Sequence, residues 1–279
     1  MPSDKHDKEI CFVDDGTKLT TMKSLPDNIY LPTYQQHPVP LYLDSVTNIH
    51  KEIFSQLSEL NDPVLRAEKF MDYMNVYFQL DKLKQGTSKN LSEQEHYPRA
   101  KANYLYMLRG WLFDTDSREG AILKGWVESR FGLIPTWHKE KITDGDSPQY
   151  QVYLHEKTSG IYNTNSLEAQ LDLLYSYCQF ELTKQHNKEN NYLVLYRGIN
   201  YKTAKLLREN NNILLLNNIN SFSSTRERAD EFGDVTIQVN VPFAKIFYYS
   251  GLLPGILRGE GENIVIGGLY QVKLCKDFI

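Results

Sequence analysis

Near residue 190 the chain changes texture, and that change constrains the fold more than any other feature of its 279 residues. Upstream, apolar side chains recur at three- and four-residue steps, the period of an amphipathic helix. "SVTNIHKEIFSQLSEL" carries Val46, Ile49, Ile53, Leu57 and Leu60 in that rhythm. A second helix is expected from Pro63, with Phe70, Met71, Met74, Tyr77 and Phe78 on one face,. "GTSKNLSEQEHYP" reads as a polar connection and "RAKANYLYMLRGWLF" as a helix. Asp116 with Glu119, and Asn165 with Glu168, have the spacing of helix caps with their box partners,. The helix after Asn165 should bury Leu167, Leu171, Leu174, Tyr175 and Cys178. Downstream of the polar break "KQHNKENN", the runs "YLVLYRG", "NILLL", "VTIQVNV", "KIFYYS" and "NIVIGGLYQVKL" read as strands,. Only "YKTAKLLREN" and "RERADEF" interrupt them as short helices. Helices first and strands last predict an α+β protein rather than an alternating parallel sheet. The expected divisions are an irregular lead-in over 1–40, a helical part over 41–190 and a strand-rich part over 191–279. The last two should form one integrated domain.

Composition excludes several classes. A net charge of −4 offers no basic excess for nucleic acid,. Three scattered cysteines without C-x-x-C give neither a disulfide framework nor a cysteine zinc site,. No H-E-x-x-H, Walker A or G-x-S-x-G occurs,, so no metal is expected. "MPSDKHDKEI" lacks the apolar core of a secretory signal,, and no apolar run approaches the roughly 20 residues of a membrane helix. A cytoplasmic protein without membrane insertion is the expectation.

Three stretches could carry chemistry. In "YLVLYRG", Arg197 ends an apolar strand and Gly198 follows it. A guanidinium there can fork onto phosphate oxygens, or it can simply exit to solvent. In "INSFSSTRERADEF", Ser221, Ser223, Ser224 and Thr225 precede a short helix, where capping is the plain alternative,. In "LRGEGENIV", Glu260 and Glu262 stand two residues apart before an apolar strand. Residues i and i+2 of a strand share a face roughly 6.6 Å apart. Like charges that close raise one another's pKa, so the pair is either a solvated turn or a catalytic pair.

Taken together, arginine at a strand end, serine after a strand and Glu-x-Glu before a strand occur in that order. This order resembles the arginine–serine–glutamate class of mono-ADP-ribosyltransferases. Ser221-Phe222-Ser223 stands where that class has Ser-Thr-Ser, departing from it at Phe222, and Ala229 and Phe232 also fall in place. A competing alignment uses Ser223-Ser224-Thr225. Longer blocks, such as "NYLYMLRGWLFDTDSREGAILKGWVESRFGLIPTWH" and "AKIFYYSGLLPGILRGEGENIVIGGLYQV", are similar to the branch that modifies the nitrogenase iron protein.

The resemblance implies a helical N-terminal part packed on a split, mostly antiparallel β-sandwich of ADP-ribosyltransferase type. It implies transfer of ADP-ribose from NAD, as co-substrate, to one arginine of the nitrogenase iron protein, with a PII-type signal protein as regulator. Glu262 would hold the ribose hydroxyl and stabilise the developing cation. Glu260 would orient the acceptor guanidinium and help deprotonate it. Arg197 would grip the phosphates, Gly198 would bond the nicotinamide amide and Phe232 would stack on its ring. Ser221 would orient Glu262, with Ser223 beside it in the NAD site. Arginine-specific toxins of the class often carry an aromatic shortly before Glu-x-Glu; here position 257 is Leu. A NAD glycohydrolase and an inactive NAD-binding regulator are the rival readings.

Overall fold

The computed structural model describes residues 10–11, 26, 28–43, 45–80, 102–160, 166–186, 191–255 and 261–275. The elements run β1 (Ile10–Cys11), α1 (Pro32–Gln36), α2 (Val46–Ile49), α3 (Lys51–Glu59), α4 (Pro63–Tyr77), α5 (Tyr104–Phe113), α6 (Arg118–Phe131), β2 (Trp137–His138), β3 (Glu140–Lys141), α7 (Pro148–Gly160) and α8 (Ser166–Gln185). There follow β4 (Tyr192–Ile199), α9 (Tyr201–Glu209), β5 (Ile213–Ser223), α10 (Arg226–Asp230), β6 (Val235–Pro242), a 3₁₀ turn at Phe243–Lys245, β7 (Ile246–Tyr248), β8 (Glu262–Gln271) and β9 (Lys273–Leu274). Helices upstream and an antiparallel sheet downstream make the protein α+β. The polar connection at 86–98, the Asn165 cap and most of the lead-in lie outside the described residues.

Local chemistry sets the helix ends. The Asp62 side chain accepts the Val64 N–H at 2.8 Å, and Pro63 starts α4 where its missing donor costs nothing,. Asn103 caps α5 through Leu105 N–H at 2.8 Å. The run from Val46 to Glu59 is not one helix, because it breaks at His50. The cap of α6 corrects the sequence reading. Ser117, not Asp116, accepts the Gly120 N–H, at 3.1 Å. Asp116 is drawn away by stronger partners: it accepts from Lys124 Nζ at 3.1 Å and from Trp137 Nε1 at 3.3 Å.

Helix α8 is the hub of the helical part. Leu167, Leu171, Leu174, Tyr175 and Cys178 are all buried on it. Tyr177 stacks on Phe70 of α4 with ring centroids 3.9 Å apart. Beside them Glu181 takes a bidentate ion pair from Arg66, at 2.6 and 2.8 Å, with both side chains fully buried. On its other side α8 meets the sheet: Tyr175 Oη donates to Ala244 O at 2.8 Å, and Gln179 Nε2 donates to Ile246 O at 2.8 Å.

The sheet order is β7-β8-β5-β4-β6-β9, and β1 pairs with the start of β5. Every pairing is antiparallel. Strands β4 and β6 pair over their whole length, from Tyr192↔Pro242 to Ile199↔Val235. Strands β5 and β8 pair nearly as fully, with a bulge between Leu216 and Ile219. Yet β4 meets β5 at one register pair, Tyr196↔Ser223. The sheet therefore has a seam, closed at that end and parted elsewhere. Away from that end, Gln35 of α1 bridges β6 and β8, the strands that flank β4 and β5. Its Nε2 donates to Asn240 O of β6 and Gln271 O of β8, both at 3.0 Å, and its Oε1 accepts from Gln271 N–H at 2.7 Å.

Candidate active site

The closed end of the seam opens into a cleft of about 470 Å³. Its lining includes Arg197 and Gly198 from β4, Ser221, Phe222 and Ser223 from β5, and Glu262 from β8. Arg228 and Ala229 from α10, with Glu231 and Phe232 just after it, form another wall. Trp111 to Thr115, at the C-terminal end of α5, form the opposite rim. Residues 65 positions apart in sequence, Arg197 and Glu262, are thus brought together by three strand ends. Glu260 lies outside the described residues, as do Leu257 and Arg258.

Arg197 does not exit to solvent. It is 4% exposed, and its Nη1 donates to the Ser221 carbonyl at 2.6 Å, across the gap between β4 and β5. Its guanidinium carbon lies 5.9 Å from the centre of the Phe222 ring. The serines belong to the strand, not to the helix that follows. Thr225 occupies the cap position of α10 without a side-chain cap bond, so capping does not explain the cluster. Ser221 and Ser223 share one face of β5, two residues apart. Ser223 stands opposite Glu262 in the β5–β8 pairing, and Ser221 stands opposite Ile264. Directly opposed residues bring their Cβ atoms to about 5 Å, while diagonal ones are about 7–8 Å apart. Ser221 Oγ instead accepts from Trp111 Nε1 at 3.0 Å, and its own hydroxyl proton remains available to donate.

The third serine, Ser224, fixes the entry to β8. Its N–H and its Oγ both donate to Gly261 O, at 3.0 and 3.2 Å. Buried Asn263 completes the latch: its Nδ2 donates to Ser224 Oγ at 2.9 Å and Gly261 O at 3.1 Å, and its Oδ1 accepts from Ser250 N–H at 3.2 Å. Gly261 itself has φ +56°, a left-handed turn that suits glycine,. The turn starts β8 with Glu262 at the cleft.

Gly198 lines the cleft, and packing also requires a glycine there. A Cβ would lie 2.6 Å from Ala229 O and 2.7 Å from Gly233 N, in the backbone around α10. Phe232 is 38% exposed, and the Arg228 guanidinium sits 4.9 Å over its ring. Arg228 also pairs with Glu231.

Sequence reasoning missed the whole α5 rim. Trp111 is fully buried and reads as one more apolar helix position. Behind the rim lies a buried polar network that it also missed. Asp116 N–H donates to Asp114 Oδ1 at 3.0 Å. Burial pushes the Asp116 carboxyl up, but Lys124 beside it, a backbone hydrogen bond and His138 together hold it below its usual range. His138 in turn is held low, by burial first and then by Lys124, while its Nε2 faces Glu156 at 2.7 Å. No group of three or more His, Cys, Asp or Glu that could hold a metal occurs among the described residues. No described helix is long and apolar enough to cross a membrane.

The comparisons with known proteins agree on one family. A family model described as dinitrogenase reductase ADP-ribosyltransferase matches residues 21–274. The chain is 38% identical over 267 residues to the NAD(+)--dinitrogen-reductase ADP-D-ribosyltransferase of Rhodospirillum rubrum, covering 91% of this chain and 94% of that protein. No solved structure matches the chain. With nearly its whole length accounted for on both counts, the chain belongs to the dinitrogenase reductase ADP-ribosyltransferase family.

Proposed function

We propose that the cleft binds NAD and that the chain transfers its ADP-ribose to an arginine of the nitrogenase iron protein, releasing nicotinamide and switching nitrogenase off. The observation that carries this reading is the convergence of buried Arg197, two serines and Glu262 from three strand ends into one cleft. Its volume, about 470 Å³, falls within the usual span of small-molecule sites,. The family and the relative's name supply the substrates. The parted seam between β4 and β5 fits a split sandwich of ADP-ribosyltransferase type. The regulator, a PII-type signal protein, rests on the resemblance alone, and a cytoplasmic setting rests on the sequence expectation.

The chemistry assigns each residue a task. Breaking the bond between ribose C1′ and nicotinamide leaves positive character on the sugar, as in glycoside hydrolysis. Nicotinamide leaves with the bonding electron pair. Glu262, at the start of β8, stabilises the oxocarbenium-like ribose and holds a ribose hydroxyl. Ser223, across the ladder, orients that carboxylate. Arg197 holds the diphosphate, and Phe232 borders the nicotinamide end. The acceptor guanidinium, with a pKa above 12, is a poor nucleophile until it loses a proton. Glu260 orients it and takes that proton as its nitrogen bonds to C1′, then releases the proton to solvent.

Labelled NAD incubated with purified iron protein tests the whole scheme. Labelled arginine on the iron protein is the expected result. Glu260→Gln should abolish that label yet leave some NAD hydrolysis, whereas Glu262→Gln should remove both. Hydrolysis without label in the wild-type enzyme would favour a NAD glycohydrolase, and neither activity would favour an inactive NAD-binding regulator.

A further inference from the structure

The α5 rim holds a side chain that its own fold does not use. Phe113, the last residue of α5, is 92% exposed, more than any other large apolar side chain among the described residues. It nevertheless lines the cleft. A phenylalanine fully in water at the mouth of a site is informative in a way that a scattered surface leucine is not. Next to it, half-buried Asp114 also lines the cleft. Its Oδ1 is fixed by the Asp116 N–H at 3.0 Å, and it makes no ion pair among the described residues. Asp116 is itself anchored by buried Lys124 and by Trp137, so the carboxylate is held from behind.

The charge pattern of the cleft is divided. On the β4 and α10 side stand buried Arg197, and Arg228 paired with Glu231, with Glu262 at the start of β8. On the α5 side stand a carboxylate, an exposed ring and the C-terminal end of a ten-residue helix, whose carbonyls carry partial negative charge. An anionic diphosphate suits the first side. A flat cation suits the second: a guanidinium stacks on an aromatic face and pairs through its edge with a carboxylate.

We propose that Phe113 and Asp114 receive the guanidinium of the acceptor arginine, the ring against its face and the carboxylate against its edge. The target side chain then enters over the end of α5. This rests on the reading of the cleft as a NAD site that serves a protein arginine. It also makes the helical part a contributor to acceptor choice.

Steady-state transfer, measured against iron-protein and NAD concentration in turn, tests it with the full chain. Phe113→Ala and Asp114→Asn should each raise the KM for iron protein by about tenfold, while the KM for NAD moves by less than about twofold. Phe113→Tyr, which keeps the ring, should restore the acceptor KM. Asp114→Asn keeps an oxygen for the Asp116 N–H, so loss of charge is separated from loss of fold. An unchanged acceptor KM in both variants overturns the inference, as does a KM for NAD that rises in step, which would place Phe113 on the nicotinamide or adenine ring. A wild-type enzyme that labels no arginine overturns this inference and the functional reading together. Normal labelling by the wild type, with variants indistinguishable from it, overturns this inference alone.

Discussion

The two serines illustrate how single residues divide labour. Ser223 faces Glu262 across the β5–β8 ladder, while Ser221 accepts from the buried Trp111 indole. Removing each hydroxyl should therefore do different things. Ser223→Ala should lower kcat by about 10- to 100-fold with little loss of stability, because it frees the carboxylate proposed to act in the transition state. Ser221→Ala leaves a buried N–H without its partner, a cost of about 1–3 kcal/mol, and should lower Tm. Thermal melts and kcat for both variants check this. A larger loss of kcat in Ser221→Ala, at unchanged Tm, would return the orienting role to Ser221. The sequence showed that a serine belonged here, since the motif order is local. It left the choice open because the register is not local. One extra residue of β5 between Leu216 and Ile219, against β8, decides which side chains oppose Glu262,.

At the scale of elements, period and the Pro63 start of α4 were legible, while the cap of α6 and close packing were not. The 3.6-residue rhythm located α4, α5 and α8, because amphipathic faces are written in the chain. The cap of α6 was misassigned to Asp116 because its partners, Lys124 and Trp137, come from α6 itself and from β2 beyond it. Trp111 was unreadable as a site residue for a similar reason: a tryptophan in a core helix looks the same whether or not its N–H meets a serine of another element. Gly198 shows the limit most clearly. Its glycine was noticed, but not the backbone of α10 lying against β4. Gly198→Ala should push α10 away and cost about 1–3 kcal/mol of overpacking. Arg228, Ala229, Glu231 and Phe232 move with that helix, so the KM for NAD should rise along with the fall in Tm. A variant with wild-type Tm and KM would show that α10 yields without consequence.

The described residues share one large cluster of buried side chains, from Ile29 to Val272, and a small second one around Ala121, Ile142 and Tyr153, with charges tucked among them. Lys245 is one such charge. It is wholly buried, it donates to Gly267 O at 2.6 Å, and burial pushes its pKa down to about 7. An unfolded lysine titrates near 10.4. Between those values the unfolded chain binds more protons than the folded one, so this residue's contribution to stability rises with pH across the window and is lost as pH falls to 7. The neighbouring rings of Tyr34 and Tyr270 are pushed upward by burial, away from the window. Urea unfolding should show Lys245→Met gaining on the wild type as pH falls from 9 to 7, by at most about 1.4 kcal/mol per pH unit. A pH-independent difference would mean that the amine stays solvated.

The hydrogen bond from Trp111 to Ser221 has one more consequence, for anyone who would build a smaller enzyme. The natural place to cut is the change of texture near residue 190, where the polar break invites a truncation. The cut would leave every strand-borne motif intact and would still remove one wall of the cleft, because the indole comes from a helix about 80 residues upstream of the incision. A minimal transferase of this kind must keep α5, or replace it with another scaffold that presents a donor at the same spot.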